Sequence, residues 1–433
     1  MPENHSEPTG PAVRRSEDQV PSTGRAGLSS LFGSAKVAAA ARTGNGGGAT
    51  RPAAEYGPLV DQVVDRVLRK QGWLERQRTE APQLLQELLR HPKERRRVLV
   101  RNSQRFRSWA LCDLLLEESL KSGFHHPVEA VELAELAIEV SGQLEDATFG
   151  AAIVSDLKAR SWTYLANSRR IGGEYRAASE AFRVAEALLE QGTGDLLERA
   201  RFFAFKATLY SDLSQYDASL KLFDRAIHIY RRSGEKQLLG QALIRKGLHC
   251  GYAGDPEAAI ELLRRGLELV DTRQEPRLAL AAHHNLILNL NDLGRHEEAA
   301  ELLEASRPLY QQLGERINLM RLRWLEARLA CSRHQLQEAE SALHEVREAF
   351  IEQSLPHEAA LVSLELASLY LEQGRTAEIK HLAEELFGIF QSIDLHRGAF
   401  AALILFEKCA QLETVTLALI QDTMTTLARL RRL

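Results

Sequence analysis

The chain has 433 residues, 44% hydrophobic and 26% charged, with a formal net charge of −4 at neutral pH. That is the balance of a soluble protein, and it excludes a surface built throughout for nucleic acid or an anionic membrane. Four cysteines, Cys112, Cys250, Cys331 and Cys409, stand far apart with no CxxC pair, which argues against a disulfide framework or zinc site and for a reducing, cytoplasmic setting.

Residues 1–54 are rich in Gly, Pro, Ser, Thr and Ala and end in TGNGGGATRPA. They hold too little apolar surface to offset ordering entropy, so a disordered tail is expected. The opening MPENHSEPTG has no basic stretch and no apolar core, so no secretory leader is expected. No long apolar run occurs either, so no membrane span is expected. Within the tail, LSSLFGSAKVAAAA (28–41) suits a transient helix, read either as a docking motif or as a chance cluster. Arg greatly outnumbers Lys, in keeping with a bacterial gene.

Residues 55–122 read as a helical cap. Val60, Val63, Val64, Val67 and Leu68 follow helical spacing, as do Leu84, Leu85, Leu88 and Leu89. Pro82 is placed near the start of a second helix, Pro92 opens a third, and Trp109 to Leu120 forms a further one. Residues 65–108 carry 13 Lys/Arg against 5 Asp/Glu, a net +8, leaving −12 for the remainder. The densest part supplies a basic patch of Arg95, Arg96, Arg97, Arg101, Arg105 and Arg107. Such a patch can meet nucleic acid, an acidic partner or the chain's own acidic repeats. With no zinc finger and no stacking aromatics beside it, nucleic acid is the disfavoured reading.

From 123 to 393 one period governs the sequence. Ala178, Ser219, Ala259, Ala299, Ala339 and Ile379 recur at a first step of 41 and then at steps of 40. Seven residues on run Ala185, Ala226, Gly266, Ser306, Val346 and Leu386, and further on Tyr230, Val270, Tyr310, Phe350 and Phe390. A strict period of this kind means stacked helical units. Gly173, Ser214, Gly254, Gly294, His334 and Gly374 fall at the turn inside each unit, and Gly194, Gly234, Gly314 and Leu355-Pro356 at the break between units.

These units resemble tetratricopeptide repeats. The residues that carry the resemblance are the small series in the first helix, Ala166, Ala207, Gly247, Ile287, Ala327 and Ala367, with the large series in the second, Phe182, Phe223, Leu263, Leu303 and Leu343, broken by Ala383. The closest segments are EYRAASEAFRVAEAL, QYDASLKLFDRAIHI and RHEEAAELLEASRPL, and PVEAVELAELAIEV (Ala130, Ala134, Ala137) forms an earlier unit. The family's period is about 34 residues, so longer helices are expected here. The resemblance implies an all-α, right-handed α–α superhelix, a tetratricopeptide-like solenoid. Small residues at each crossing would let the helix axes approach, with the large one filling the gap to the next unit. Residues 394–433 supply capping helices, Ala399 to Cys409 and Val415 to Leu430, with a basic end.

No catalytic motif is present: no GxGxxG after a strand, no GxxxxGK[ST], no HExxH, no GxSxG. The adjacent pairs His125-His126 and His283-His284 suit solvation or capping better than a metal, and Glu297-Glu298 suits a helix start. No enzyme activity, cofactor or metal is expected. The resemblance implies a groove lined by one stripe of each first helix. By register that stripe contains Arg160, Thr163, Asn167 and Arg170, then Arg201 and Thr208, Gln241, His284 and Asn291, and finally Arg321, Trp324 and Arg328. Arg and Trp are favoured at binding hot spots. Some family members clamp a C-terminal carboxylate with lysine and asparagine. Here Asn167 matches one asparagine, but Thr163 and Phe205 stand where a lysine and another asparagine would be, so a chaperone-tail clamp is not expected. The reading is a non-enzymatic scaffold or adaptor that takes a peptide or helix of another protein in its groove, in bacterial signalling or transcription regulation. The alternatives are a peptide-sensing regulator and nucleic-acid binding through 65–108. Partner identity and oligomeric state are not encoded in any motif.

Overall fold

A computed structural model describes residues 53–123, 126–353, 355–391, 397–411 and 413–430. The chain divides into two compact units, residues 1–70 and 71–433. Residues 1–52, and with them the 28–41 motif, lie outside the described residues, as do His125 and the last three residues of the basic end.

Every regular element among the described residues is helical, with 19 α-helices in all. They are α1 (Ala53–Leu89), α2 (Lys93–Asn102), α3 (Trp109–Ser122), α4 (Pro127–Gly142), the short α5 (Asp146–Phe149), α6 (Ala151–Ile171), α7 (Tyr175–Glu190), α8 (Leu196–Asp212), α9 (Tyr216–Arg232), α10 (Lys236–Tyr252), α11 (Pro256–Leu267), α12 (Pro276–Asp292), α13 (His296–Leu313), α14 (Arg316–Ser332), α15 (Leu336–Glu352), α16 (Pro356–Glu372), α17 (Thr376–Gln391), α18 (Arg397–Gln411) and α19 (Leu417–Leu430). From α8 on, first helices begin at 196, 236, 276, 316 and 356, and second helices at 216, 256, 296, 336 and 376. The sequence period is therefore the period of the architecture, an all-α right-handed superhelix of stacked helix pairs. α3 packs on α4, and α4 on α6, in the manner of the pairs that follow.

The turns follow from backbone sterics. All six residues at the turn inside the units have positive φ, including the non-glycines Ser214 (59°) and His334 (57°). At Gly254 (φ 87°) the chain turns into Asp255, whose side chain accepts from the Ala258 amide at 3.1 Å, and Pro256 then opens α11.

The small series sits at the crossings. Ala166, Ala207, Ala327 and Ala367 are wholly buried, as are Ala178, Ala259, Ala299 and Ala339. Between α10 and α11 even alanine is too large. A Cβ on Gly266 would stand 2.6 Å from Ile244 Cγ1 and 2.9 Å from the Gly240 carbonyl oxygen. The large series reaches the next unit. Phe182 of α7 meets Phe202 of α8 edge-on at 5.8 Å, and Phe223 of α9 stacks on His249 of α10 at 5.2 Å. The Phe390 side chain lies outside the described residues.

One sequence expectation fails. No helix starts near Pro82, because α1 runs through it without a break. Leu74, Ala81, Leu84 and Leu88 form one buried stripe on both sides of Pro82, which is itself exposed. Burial of that stripe outweighs the lost backbone hydrogen bond.

First and second helices differ in how they are buried. In α9 the buried residues Ser219, Phe223, Ala226, Ile227 and Tyr230 form one stripe. In α8 they surround the helix, from Leu197 and Glu198 through Phe202 and Phe205 to Ser211. From α3 to α14 neighbouring first helices pack on each other, whereas neighbouring second helices scarcely meet. A stack that is crowded on one side and splayed on the other curves, so the first helices form the inner wall.

Candidate partner-binding groove

The inner wall is lined with charge, but almost every charge is matched. Arg160 on α6 is only 7% exposed. Its Nε donates to Glu198 Oε2 at 3.1 Å, and its two Nη atoms reach Glu198 and Asp113 of α3. Arg201 donates to both oxygens of the same Glu198, at 3.0 and 2.9 Å. Burial alone would raise the Glu198 carboxyl, but Arg160 and Arg201 win and hold it at about 2. Burial opposes the charge on Arg160 as well, yet Glu198 and Asp113 raise it well above its ordinary value. One buried carboxylate thus binds α6 to α8, with α3 joined through Asp113.

The same arrangement recurs along the wall. Arg170 donates to Asp212 at 2.5 Å and to Asn167 at 3.2 Å. Gln241 donates to Glu275 at 2.8 Å. Trp324 Nε1 donates to Glu365 Oε2 at 2.7 Å, Arg328 Nε donates to Glu365 Oε1 at 2.8 Å, and the Arg328 guanidinium lies 5.1 Å from the Trp324 ring centre. His284 Nδ1 pairs with the Tyr310 hydroxyl at 3.1 Å. Burial, with Arg321 and Arg328 nearby, lowers its imidazole to about 3, so it is neutral. Asn291 pairs with His296 at 2.9 Å. Thr163 and Thr208 donate to the carbonyls of Ala159 and Ala204 in their own helices.

The twelve side chains read from the sequence therefore all lie on first helices. The structure joins Arg160 and Arg201 through Glu198, and Trp324 and Arg328 through Glu365. Arg170 bonds Asn167 directly, and the others are not joined to one another by any of these bonds. Arg160, Thr163 and Asn167 are buried rather than open to the groove. Arg160, Arg170, Arg201 and Arg328 of the stripe are held in ion pairs, because a charge on a crowded wall is costly unless it is paired.

Sequence reasoning missed the acids Asp113, Glu198, Asp212, Glu275 and Glu365. A spacing signal was available. Arg160–Glu198, Arg97–Glu135, Arg101–Glu139, Arg107–Glu145, Arg277–Glu315 and Arg347–Glu385 are all separated by 38 residues, two short of the period. It also missed Arg245 on α10. That half-buried guanidinium lies 5.8 Å from the Phe205 ring centre, and Phe205 meets Tyr164 edge-on at 5.4 Å. Among the described residues it makes no hydrogen bond and no salt bridge, and burial pulls its pKa down.

The basic patch faces the chain's own acids. Arg96 pairs with Glu132 at 2.7 Å, Arg97 with Glu135, Arg101 with Glu139, Arg105 with Glu87 at 2.7 Å and Arg107 with Glu145 at 3.5 Å, while Arg95 is exposed. His283 pairs with Ser306 at 3.0 Å. Glu297 and Glu298 bond Arg333 and Arg264. Among the described residues, no three His, Cys, Asp or Glu side chains come together as a metal site, and no helix is long and apolar enough to cross a membrane.

The sequence model of the tetratricopeptide repeat family matches residues 199–271, which run from α8 to just past α11. The chain carries tetratricopeptide repeats. Two solved structures share the fold. One, a Rap protein complexed with Competence and Sporulation Factor, is 14% identical at a TM-score of 0.58, covering 73% of this chain and 85% of its own. The other, the apo form of RapI, is 16% identical at 0.51, covering 83% and 98%. No curated protein matches the sequence. At these identities the likeness to the two Rap structures is one of fold alone.

Proposed function

We propose that this chain is a non-enzymatic scaffold or adaptor whose inner wall receives a peptide or helix of another protein, in bacterial signalling or transcription regulation. The observation that carries this reading is Arg245. It is a half-buried guanidinium on the inner wall, beside Phe205, and no carboxylate of the described chain hydrogen-bonds it. Burial disfavours this charge, Glu275 and Tyr230 offset that in part from a distance, and a bound acceptor would add the direct hydrogen bond that Arg245 lacks. The fold supports the reading, since stacked helix pairs form extended concave binding surfaces. The Rap structure that shares it holds a bound factor. Four free cysteines suit a cytoplasmic setting.

Affinity capture from the native host, read by mass spectrometry, tests the proposal. Arg245→Glu should abolish capture of the partner while circular dichroism stays unchanged, because the residue holds no ion pair. A partner set retained in full by both Arg245→Glu and Arg321→Glu would refute the inner wall as the binding surface.

A further inference from the structure

α2 is attached to the repeats mainly through ion pairs. Its sequence KERRRVLVRN carries five basic residues against one acid. Only Val100 of its apolar residues is buried, while Val98 is 55% exposed. The hydrophobic contribution to its docking is therefore small.

Charge takes its place. α4 presents Glu132, Glu135 and Glu139, spaced i, i+3, i+7 along one face. Lys93 Nζ lies 2.9 Å from Glu132, Arg96 pairs with the other oxygen of Glu132, Arg97 with Glu135, and Arg101 Nε donates to Glu139 at 2.8 Å. Residue numbers rise together along both helices, so α2 lies parallel to α4. Arg96 also donates to the carbonyls of Leu89 and His91, at 2.9 and 2.7 Å, where α1 ends. The hydrogen bond from Arg101 holds the Glu139 carboxyl below its usual range.

Three of the basic side chains in these rungs stay open to water, while Arg96 and Glu132 are mostly covered. Lys93, Arg97 and Arg101 are about half exposed. Pairs of that kind weaken as salt screens them, since the Debye length falls from about 10 Å at 0.1 M to about 3 Å at 1 M. The repeats, by contrast, are held by apolar crossings that salt does not loosen.

We infer that α2 and the Glu132, Glu135 and Glu139 row of α4 form an electrostatic clasp that opens as ionic strength rises while the repeats stay folded. Opening bares both faces at once, an arginine-rich helix and a row of three carboxylates. The inference is independent of the inner-wall reading, because no residue is shared.

Hydrogen exchange on the full chain tests it, following peptides over 93–102 and over 276–292 between 0.02 and 1 M NaCl, a range about the one in which screening becomes short. The expected result is exchange at least roughly tenfold faster in α2 at high salt, with α12 unchanged. Glu139→Lys should speed exchange in α2 already at low salt. Adding Arg101→Glu should restore protection, since that pair then matches in reversed sense. Exchange in α2 that ignores salt, or a reversed pair that does not restore protection, would overturn the inference.

Discussion

Replacing Glu198 by Gln removes the charge that two guanidinium groups share and keeps the shape. A carboxyl held at about 2 rather than near 4.5 has its charged form stabilised by about 3 kcal/mol. Removing one member of a buried pair costs a similar amount, about 3–5 kcal/mol, because the other charge is left behind. Here those charges are Arg160, still bonded to Asp113 but stripped of Glu198, and Arg201, which loses both of its bonds to Glu198. Long repeat arrays need not unfold in one step, so the loss is best read locally. Amides of α6 and α8 should exchange about a hundredfold faster, which corresponds to about 3 kcal/mol, while those of α16 stay as they were. A change below about tenfold, or one spread evenly along the array, would refute the view that Glu198 joins these two helices.

Acid should weaken the array in a defined sense. Glu198 is depressed from 4.5 to about 2, so its contribution is complete above 4.5 and is lost as pH falls towards 2. His284 is depressed from 6.5 to about 3, so between those values the unfolded chain binds a proton that the folded one refuses, and stability again falls with pH. A thermal midpoint that stayed level between pH 7 and pH 4 would contradict the His284 assignment, and one level between pH 4.5 and pH 2 would contradict the Glu198 assignment. Ser214, at φ 59°, occupies a conformation that glycine adopts without strain. Ser214→Gly should therefore stabilise its turn by about 1 kcal/mol, measurable as a higher urea midpoint, and a lower midpoint would count against a strained turn.

The repeat was legible because its cause is local and recurrent. Most crossings hold a small residue, the turn inside each unit a left-handed backbone, and most joints a large apolar side chain, so even Ser214 and His334 were found by position rather than type. The continuity of α1 through Pro82 was not legible, because a proline read alone looks like a boundary, and only the buried stripe on both sides shows otherwise. The inner wall was half legible. Register placed Arg160, Arg170 and Arg328 on first helices, yet their carboxylate partners come from neighbouring units. A stripe read helix by helix therefore looked free where it was already neutralised. The same blindness hid Arg245, which feels Glu275 at a distance but makes no hydrogen bond or salt bridge with it.

The shared carboxylate of Glu198 bears on how an array like this can lengthen. A copied helix pair inserted between α7 and α8 would carry Arg160 and Arg170 away from Glu198 and Asp212. Growth at that joint therefore requires new acids to arrive together with the new unit, whereas a joint held by alanine and leucine alone would accept a duplicate as it stands.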